Sequence, residues 1–241
     1  MTDTTLFRPA PMAGAGVGDT KSAAALLILQ FTTMWGAFFI LAPAINWPAS
    51  LDAPPSDILP LILDRSGAVF AGYLSYLIHA LVLIPLAVLL RGALGLSGGF
   101  ATVAITLGVL AGFAKALGIT RWLFLMPGLA EAWVDPATTE AEQAAIGVVY
   151  EAFNAYAGGV GELMGVGLFA GSWTVLLSIA LIRKGTPLLG WAGLGSAVLL
   201  FSTLLSVVGI ESPLMLTLSG ILWQFWTLAL AIWLIRRGAQ T

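Results

Sequence analysis

The sequence predicts an all-α fold: a bundle of six transmembrane helices, with a short interfacial helix in the outer loop before the fourth span. Three observations carry this. Of 241 residues, 59% are hydrophobic and only 9% are charged, whereas soluble domains carry about 25% charge. Six runs reach the ~20 apolar residues that a bilayer crossing requires: 23–45, 67–90, 100–122, 158–182, 188–209 and 215–235. Basic residues then punctuate alternate boundaries. Lys21 precedes the first run, Arg91 follows the second, Arg183 and Lys184 follow the fourth, and Arg236 and Arg237 follow the sixth.

If the chain crosses at every run, these basic residues share one side with Arg8. The positive-inside rule makes that side cytoplasmic and puts both termini there. The opposite loops hold Asp52, Asp57, Asp64, Glu131, Asp135, Glu140, Glu142 and Glu211. Residues 1–21, polar and rich in Gly and Pro, read as a flexible cytoplasmic tail, and 22–237 as a single transmembrane domain. The apolar run after Lys21 is too long for the h-region of a cleaved signal peptide. Nine Trp residues suit aromatic belts at the bilayer interfaces.

Two outer loops are more than turns. Residues 46–66 carry four prolines and the apolar stretch "ILPLIL", expected to lie in the interface with Trp47 as anchor. In residues 127–148, Asp135-Pro136 followed by Thr138 and Thr139 signals a helix start with acids in its first turn. A helix from about 139 to 182 exceeds one straight crossing, so a bend is expected at Gly158-Gly159. Pro43 and Pro85 sit inside spans as expected kinks.

Several chemistries are excluded. With no Cys and a single His, there is no disulfide, thiolate metal site, cysteine nucleophile or bis-histidine haem. A net charge of −2 gives no basic footprint for nucleic acid. No phosphate loop, dinucleotide fingerprint or nucleophile elbow is present. No cofactor and no metal are expected.

The unusual residues lie in "VYEAFNAYAGGVGELMGVGLFAG", 149–171, where Glu151, Asn154 and Glu162 enter an apolar helix. At 100° per residue, Glu151 and Glu162 share a face within about 20°, with Asn154, Gly158, Gly161 and Gly165 on the same broad side. Gly161–Gly165 and Gly167–Gly171 have the small-xxx-small spacing that admits a neighbouring helix. The third span carries a matching stripe, Gly108, Gly112, Lys115 and Gly118, with Arg121 near its outer end. An unpaired intramembrane charge costs at least about 2.5–3.5 kcal/mol on insertion scales. The expected pairs are therefore Lys115 with Glu162 and Arg121 with Glu151, with Asn154 as a neutral neighbour. Such a network either fixes helix register or holds a ligand. In the second span Tyr73, Tyr76 and His79 spiral along one side, and His79 is expected to be satisfied internally by Gln30 or Gln224. Asp64-Arg65 reads as a charge arrangement at a helix start.

The runs "ALGITRWLFLMPGLAEAWVDP", "VYEAFNAYAGGVGELMG", "GSWTVLLSIALI" and "PLLGWAGLGSAVL" resemble a family of bacterial multi-helix membrane proteins catalogued as a domain of unknown function. The resemblance spans roughly 67–235, and its specific core is Arg121-Trp122, Glu151-x-x-Asn154 and Gly161-Glu162. It implies a multi-helix fold in a bacterial inner membrane and no particular reaction. It groups Arg121, Trp122, Glu151, Asn154 and Glu162 as one constellation.

The function expected first is non-enzymatic. An outward-facing polar pocket would bind, sense or pass a small amphiphilic or lipid-like molecule, with the bilayer itself as the other partner. The second expectation is an accessory subunit of a larger membrane complex, packing against partner helices or pigments. The third is an intramembrane hydrolase or transferase using Glu151 and Glu162 as acid and base, for which no nucleophile is evident.

Overall fold

The computed structural model describes residues 17–210 and 213–239. The helices are α1 (Val17–Ile45), α2 (Pro55–Asp64), α3 (Ser66–Ala93), α4 (Gly98–Phe124), α5 (Met126–Val134), α6 (Glu140–Gly158), α7 (Gly171–Arg183), α8 (Pro187–Phe201) and α9 (Pro213–Gly238). A π-helical segment, Gly159–Ala170, joins α6 to α7, and short 3₁₀ turns cover Ala49–Asp52 and Ser202–Val208. No strand occurs among the described residues. Six stretches are long and apolar enough to cross a membrane: Asp19–Ile45, Ser66–Ala93, Gly98–Val134, Glu140–Arg183, Pro187–Val208 and Thr217–Gly238. These are the six expected spans. The expected tail, 1–21, lies mostly outside the described residues, and α1 begins at Val17.

Local sequence explains the punctuation. Pro55 and Pro187 occupy the first helical turn of α2 and α8, where the missing N–H would have no intrahelical partner anyway. The Thr139 hydroxyl accepts from the Glu142 N–H while the Glu142 carboxylate accepts from the Thr139 N–H, a reciprocal cap that starts α6 at the expected place. The α3–α4 connection needs left-handed backbone at Gly95 (φ 54°) and Gly98 (φ 59°), which glycine adopts without a Cβ clash.

The spans close into a ring. α1 packs on α3, α3 on α4, α4 on the π segment, α7 on α8, α8 on α9, and α9 back on α1. One end gathers the basic residues. The Asp19 carboxylate lies against Gly92, Lys184 Nζ reaches Gly95, Thr20 lies against Gly238, and the Arg183 guanidinium sits 5.8 Å over Phe100. The opposite, acidic end is covered by α2, α5 and the start of α6, which pack together. Trp47 is buried there rather than exposed as an anchor.

The buried apolar residues form two clusters. One, toward the basic end, includes Leu86, Leu90, Trp173, Leu181, Trp226 and Leu234. The other, toward the acidic end, includes Leu41, Ile45, Ile62, Tyr73, Trp122 and Tyr150. Along α1 and α4, the buried polar residues Gln30 and Lys115 fall between the two clusters, and on α3 the buried His79 lies beside Ala80, the last residue of the acidic-end cluster on that helix. Large side chains such as Phe39, Phe113 and Trp191 are exposed outward, which suits contact with lipid tails.

The expected bend at Gly158-Gly159 takes another form. The helix from Glu140 to Arg183 continues as 44 residues, and its winding changes there from α to π. A π stretch of twelve residues is long for a helix type seen mostly as single-turn bulges, frequently at functional sites.

Candidate functional site

Glycines bring α4 and the π segment into backbone contact. A Cβ added at Gly118 would fall 2.8 Å from the Ala157 carbonyl oxygen and 2.8 Å from Gly161 Cα. One at Gly165 would fall 2.9 Å from the Lys115 backbone nitrogen. The expected glycine contact between the third and fourth spans is therefore present, but it uses Gly118, Gly161 and Gly165. Gly112 serves a different neighbour, since its added Cβ would lie 2.8 Å from the Ala80 carbonyl of α3.

Just outward of this contact, toward the acidic end, is a small cavity of about 30 Å³, lined notably by Leu51, Tyr73, Tyr76, Lys115, Arg121 and Glu162. A polar space of this order admits water. Lys115 and Glu162 thus share a cavity, as their depth suggested, but they do not pair. Among the described residues the one salt bridge is between Arg65 and Asp64, at the α2–α3 boundary, 2.8 Å apart and exposed.

Lys115 turns instead to α3. Its Nζ lies 2.9 Å from His79 Nε2, and His79 Nδ1 lies 2.9 Å from the Gln30 carbonyl oxygen. A carbonyl only accepts, so Nδ1 carries the imidazole proton, and Nε2 offers its lone pair to the Lys115 amine. The same amine sits 5.1 Å from the centroid of the Trp223 ring on α9. The Trp223 indole N–H donates to Thr174 Oγ1 at 2.8 Å, and the Thr174 hydroxyl donates to the Ala170 carbonyl at 2.7 Å. The polar groups so linked come from α1, α3, α4, α7 and α9. The expectation that His79 is satisfied through Gln30 holds, by way of the backbone carbonyl. Gln224 is buried, with no hydrogen bond to His79.

Arg121 is the other buried cation, 8% exposed. Its Nη1 donates to the Gly118 carbonyl at 3.1 Å, and its guanidinium lies 5.3 Å from the centroid of the Trp122 ring. Trp122 is stacked on Tyr73, with centroids 5.0 Å apart and planes 4° apart. Arg121 Nε finds no hydrogen-bond partner among the described residues, and neither does the Tyr73 hydroxyl. The expected Arg121–Glu151 pair is absent, because Glu151 points to the exposed side of α6. The face shared by Glu151 and Glu162 was counted at 100° per residue. Eleven residues, about 16 Å of helix, separate the two, so Glu162 lines the cavity while Glu151 stays exposed on the outer part of α6.

Asn154 is also not a neighbour bonded to Arg121. Its Nδ2 donates to the Leu51 carbonyl at 2.6 Å, and one turn earlier the Tyr150 hydroxyl donates to the Ala53 carbonyl at 3.1 Å. These two bonds fasten the 49–53 segment over the cavity. Tyr76 lines the cavity and packs edge-on to Trp47, with centroids 5.6 Å apart. The roles of Leu51, Trp223 and Thr174 carry no signal in the sequence, since each depends on which distant helix lies opposite.

Arg121 also borders a second, larger cavity of about 360 Å³ on the outer flank of α4 and α6. Its walls include Leu117, Phe124, Leu125, Phe153, Tyr156 and Val160. Phe124 and Tyr156 are among the most exposed large side chains of the protein, so this groove opens laterally toward lipid. One guanidinium therefore stands between a polar internal cavity and an apolar lateral groove.

Residues 22–238 match the family described as Domain of unknown function (DUF4386). The chain belongs to this family. The match covers the first span from residue 22 and the other five in full, and contains every residue of both cavities. No curated protein and no solved structure matches the chain.

Proposed function

We propose that this membrane protein binds a single-chain anionic amphiphile, taking its acidic head at Arg121 and its apolar chain in the lateral groove. The observation that carries this reading is Arg121 itself. A guanidinium has five N–H donors in a planar fork suited to carboxylate or phosphate. Among the described residues one bond to a carbonyl is its only hydrogen bond and no acidic side chain forms an ion pair with it, although Glu162 borders the same inner cavity, and it forms part of the wall of an apolar groove. A buried cation in a membrane usually has a partner, and an acidic head group arriving through the groove supplies one. The reading is non-enzymatic. In this reading the protein sits in a bacterial inner membrane with its basic end on the cytoplasmic side, as the positive-inside rule suggests, and the site faces the outer leaflet.

The test is native mass spectrometry with two probes of equal chain length and opposite charge, dodecanoate and dodecyltrimethylammonium. The wild type should retain dodecanoate selectively. Arg121→Gln should lose it, and Arg121→Lys, which keeps charge but not the fork, should hold it more weakly. Equal retention of both probes, or dodecanoate binding undiminished in Arg121→Gln, would overturn the reading.

A further inference from the structure

The inner cavity has chemistry that an acid group alone does not use. Glu162 lines it with no hydrogen bond or ion pair among the described residues. Tyr73 lines it too, on a side chain 1% exposed, and its buried hydroxyl has no hydrogen-bond partner among the described residues. The Lys115 amine directs one N–H to His79 and lies over the Trp223 ring. The cavity thus offers a carboxylate that accepts and a phenol that donates or accepts, beside Arg121, whose Nε is a further donor without a partner among the described residues. Buried polar groups left without partners carry a free-energy cost, and Tyr73 Oη is held in place by the stack on Trp122.

We propose that this cavity is a second subsite for the same ligand and takes one hydroxyl group lying next to the acidic head held at Arg121. The inference rests on the amphiphile reading above and narrows its substrate class. A hydroxyl donates to Glu162 and accepts from Tyr73 at once, so it answers both groups. An ammonium group would satisfy Glu162, but it would share the cavity wall with two cations, Lys115 and Arg121. The volume, about 30 Å³, excludes a sugar or other bulky head. The chemistry recognised is an anionic group with a neighbouring hydroxyl on a molecule with an acyl chain. A free hydroxy fatty acid has it, and so does a phospholipid whose phosphate bears a hydroxylated alcohol.

The experiment is competition binding by native mass spectrometry with matched pairs. The free-acid pairs set 2-hydroxy- and 3-hydroxydodecanoate against dodecanoate. The phospholipid pair sets phosphatidylglycerol against phosphatidylmethanol, which has the same charge and no hydroxyl. 3-Aminododecanoate tests the ammonium alternative. The wild type should prefer the hydroxylated member of at least one pair by about tenfold, the ratio expected of one hydrogen bond to a charged group. The pair that shows the preference identifies the source. Tyr73→Phe keeps the stack on Trp122 and removes only the hydroxyl, and Glu162→Gln removes the carboxylate charge. Each should cut the preference to less than about threefold; Tyr73→Phe should leave dodecanoate binding unchanged, and Glu162→Gln, which removes a negative charge beside Arg121, should not weaken it. Absence of any preference in the wild type, a preference that survives both variants, or stronger binding of the amino acid would overturn the subsite. If dodecanoate retention is independent of Arg121, the underlying reading fails instead.

Discussion

Replacing Lys115 and His79 singly and together tests the polar centre of the bundle. Lys115→Met keeps most of the stem volume and removes the amine, leaving the buried His79 Nε2 without its donor at 2.9 Å. An unsatisfied buried group of this kind costs about 1–3 kcal/mol. The contact with the Trp223 ring, 5.1 Å away, is lost as well and is worth about 0.5–2 kcal/mol. His79→Leu leaves the amine, 6% exposed, without an acceptor, and removes the donor to the Gln30 carbonyl. In the double variant both stranded partners are gone, so it should be more stable than the sum of the single losses indicates, by about 1–3 kcal/mol. The assay is reversible unfolding in mixed micelles by a denaturing detergent, followed by tryptophan fluorescence. The cycle of Lys115→Met with Glu162→Gln should show a distinctly smaller coupling, because the two side chains border one cavity without a bond between them. Additivity of Lys115 and His79 within about 0.5 kcal/mol, or the larger coupling appearing with Glu162, would refute the arrangement.

Two further outcomes follow from packing and topology. Gly118→Ala places a Cβ 2.8 Å from backbone atoms of the opposite helix, and should destabilise the protein by about 1–3 kcal/mol in the same assay. Gly128→Ala, in a helical position with nothing within 4 Å, should be neutral or stabilise by up to about 1 kcal/mol, and equal effects would mean that α4 and the π segment are not in contact. A cysteine at Ala137, exposed at the acidic end, should react with an impermeant thiol reagent added outside intact cells, while one at Ser97, exposed at the basic end, should not. The reverse pattern would invert the topology.

The number, order and ends of the spans were legible in the sequence because each depends on local signals. Apolar length marks the crossings, Arg91, Lys184 and Arg236 mark one end, and the Thr139–Glu142 pattern marks the start of α6. The glycine contact was legible in part. Small-xxx-small spacing shows that a helix can approach closely, but not which neighbour does so, and Gly112 serves α3 while Gly118 serves the π segment. The charge pairs were not legible, for two reasons. A buried lysine was expected to need a carboxylate, yet an imidazole lone pair also accepts, and His79 lies opposite Lys115 on the adjacent helix. Glu151 and Glu162 were grouped by angle alone, yet about 16 Å of helix separates them, and only Glu162 reaches the cavity. The lateral groove arises only when Phe124 of α4 meets Phe153 and Tyr156 of α6, and no periodicity within either helix encodes that meeting.

The central claim, an anionic amphiphile held by Arg121 with its chain in the lateral groove, is tested most directly by photo-crosslinking. Dodecanoate bearing a diazirine near its tail is equilibrated with the protein in membranes, irradiated, and the labelled residues are mapped by peptide mass spectrometry. The account predicts labelling concentrated on Phe124, Phe153 and Tyr156, displaced by unlabelled dodecanoate and lost in Arg121→Gln. Labelling spread evenly around the exposed perimeter, at Phe39, Phe113 and Trp191 as much as in the groove, or unchanged by Arg121→Gln, would contradict it.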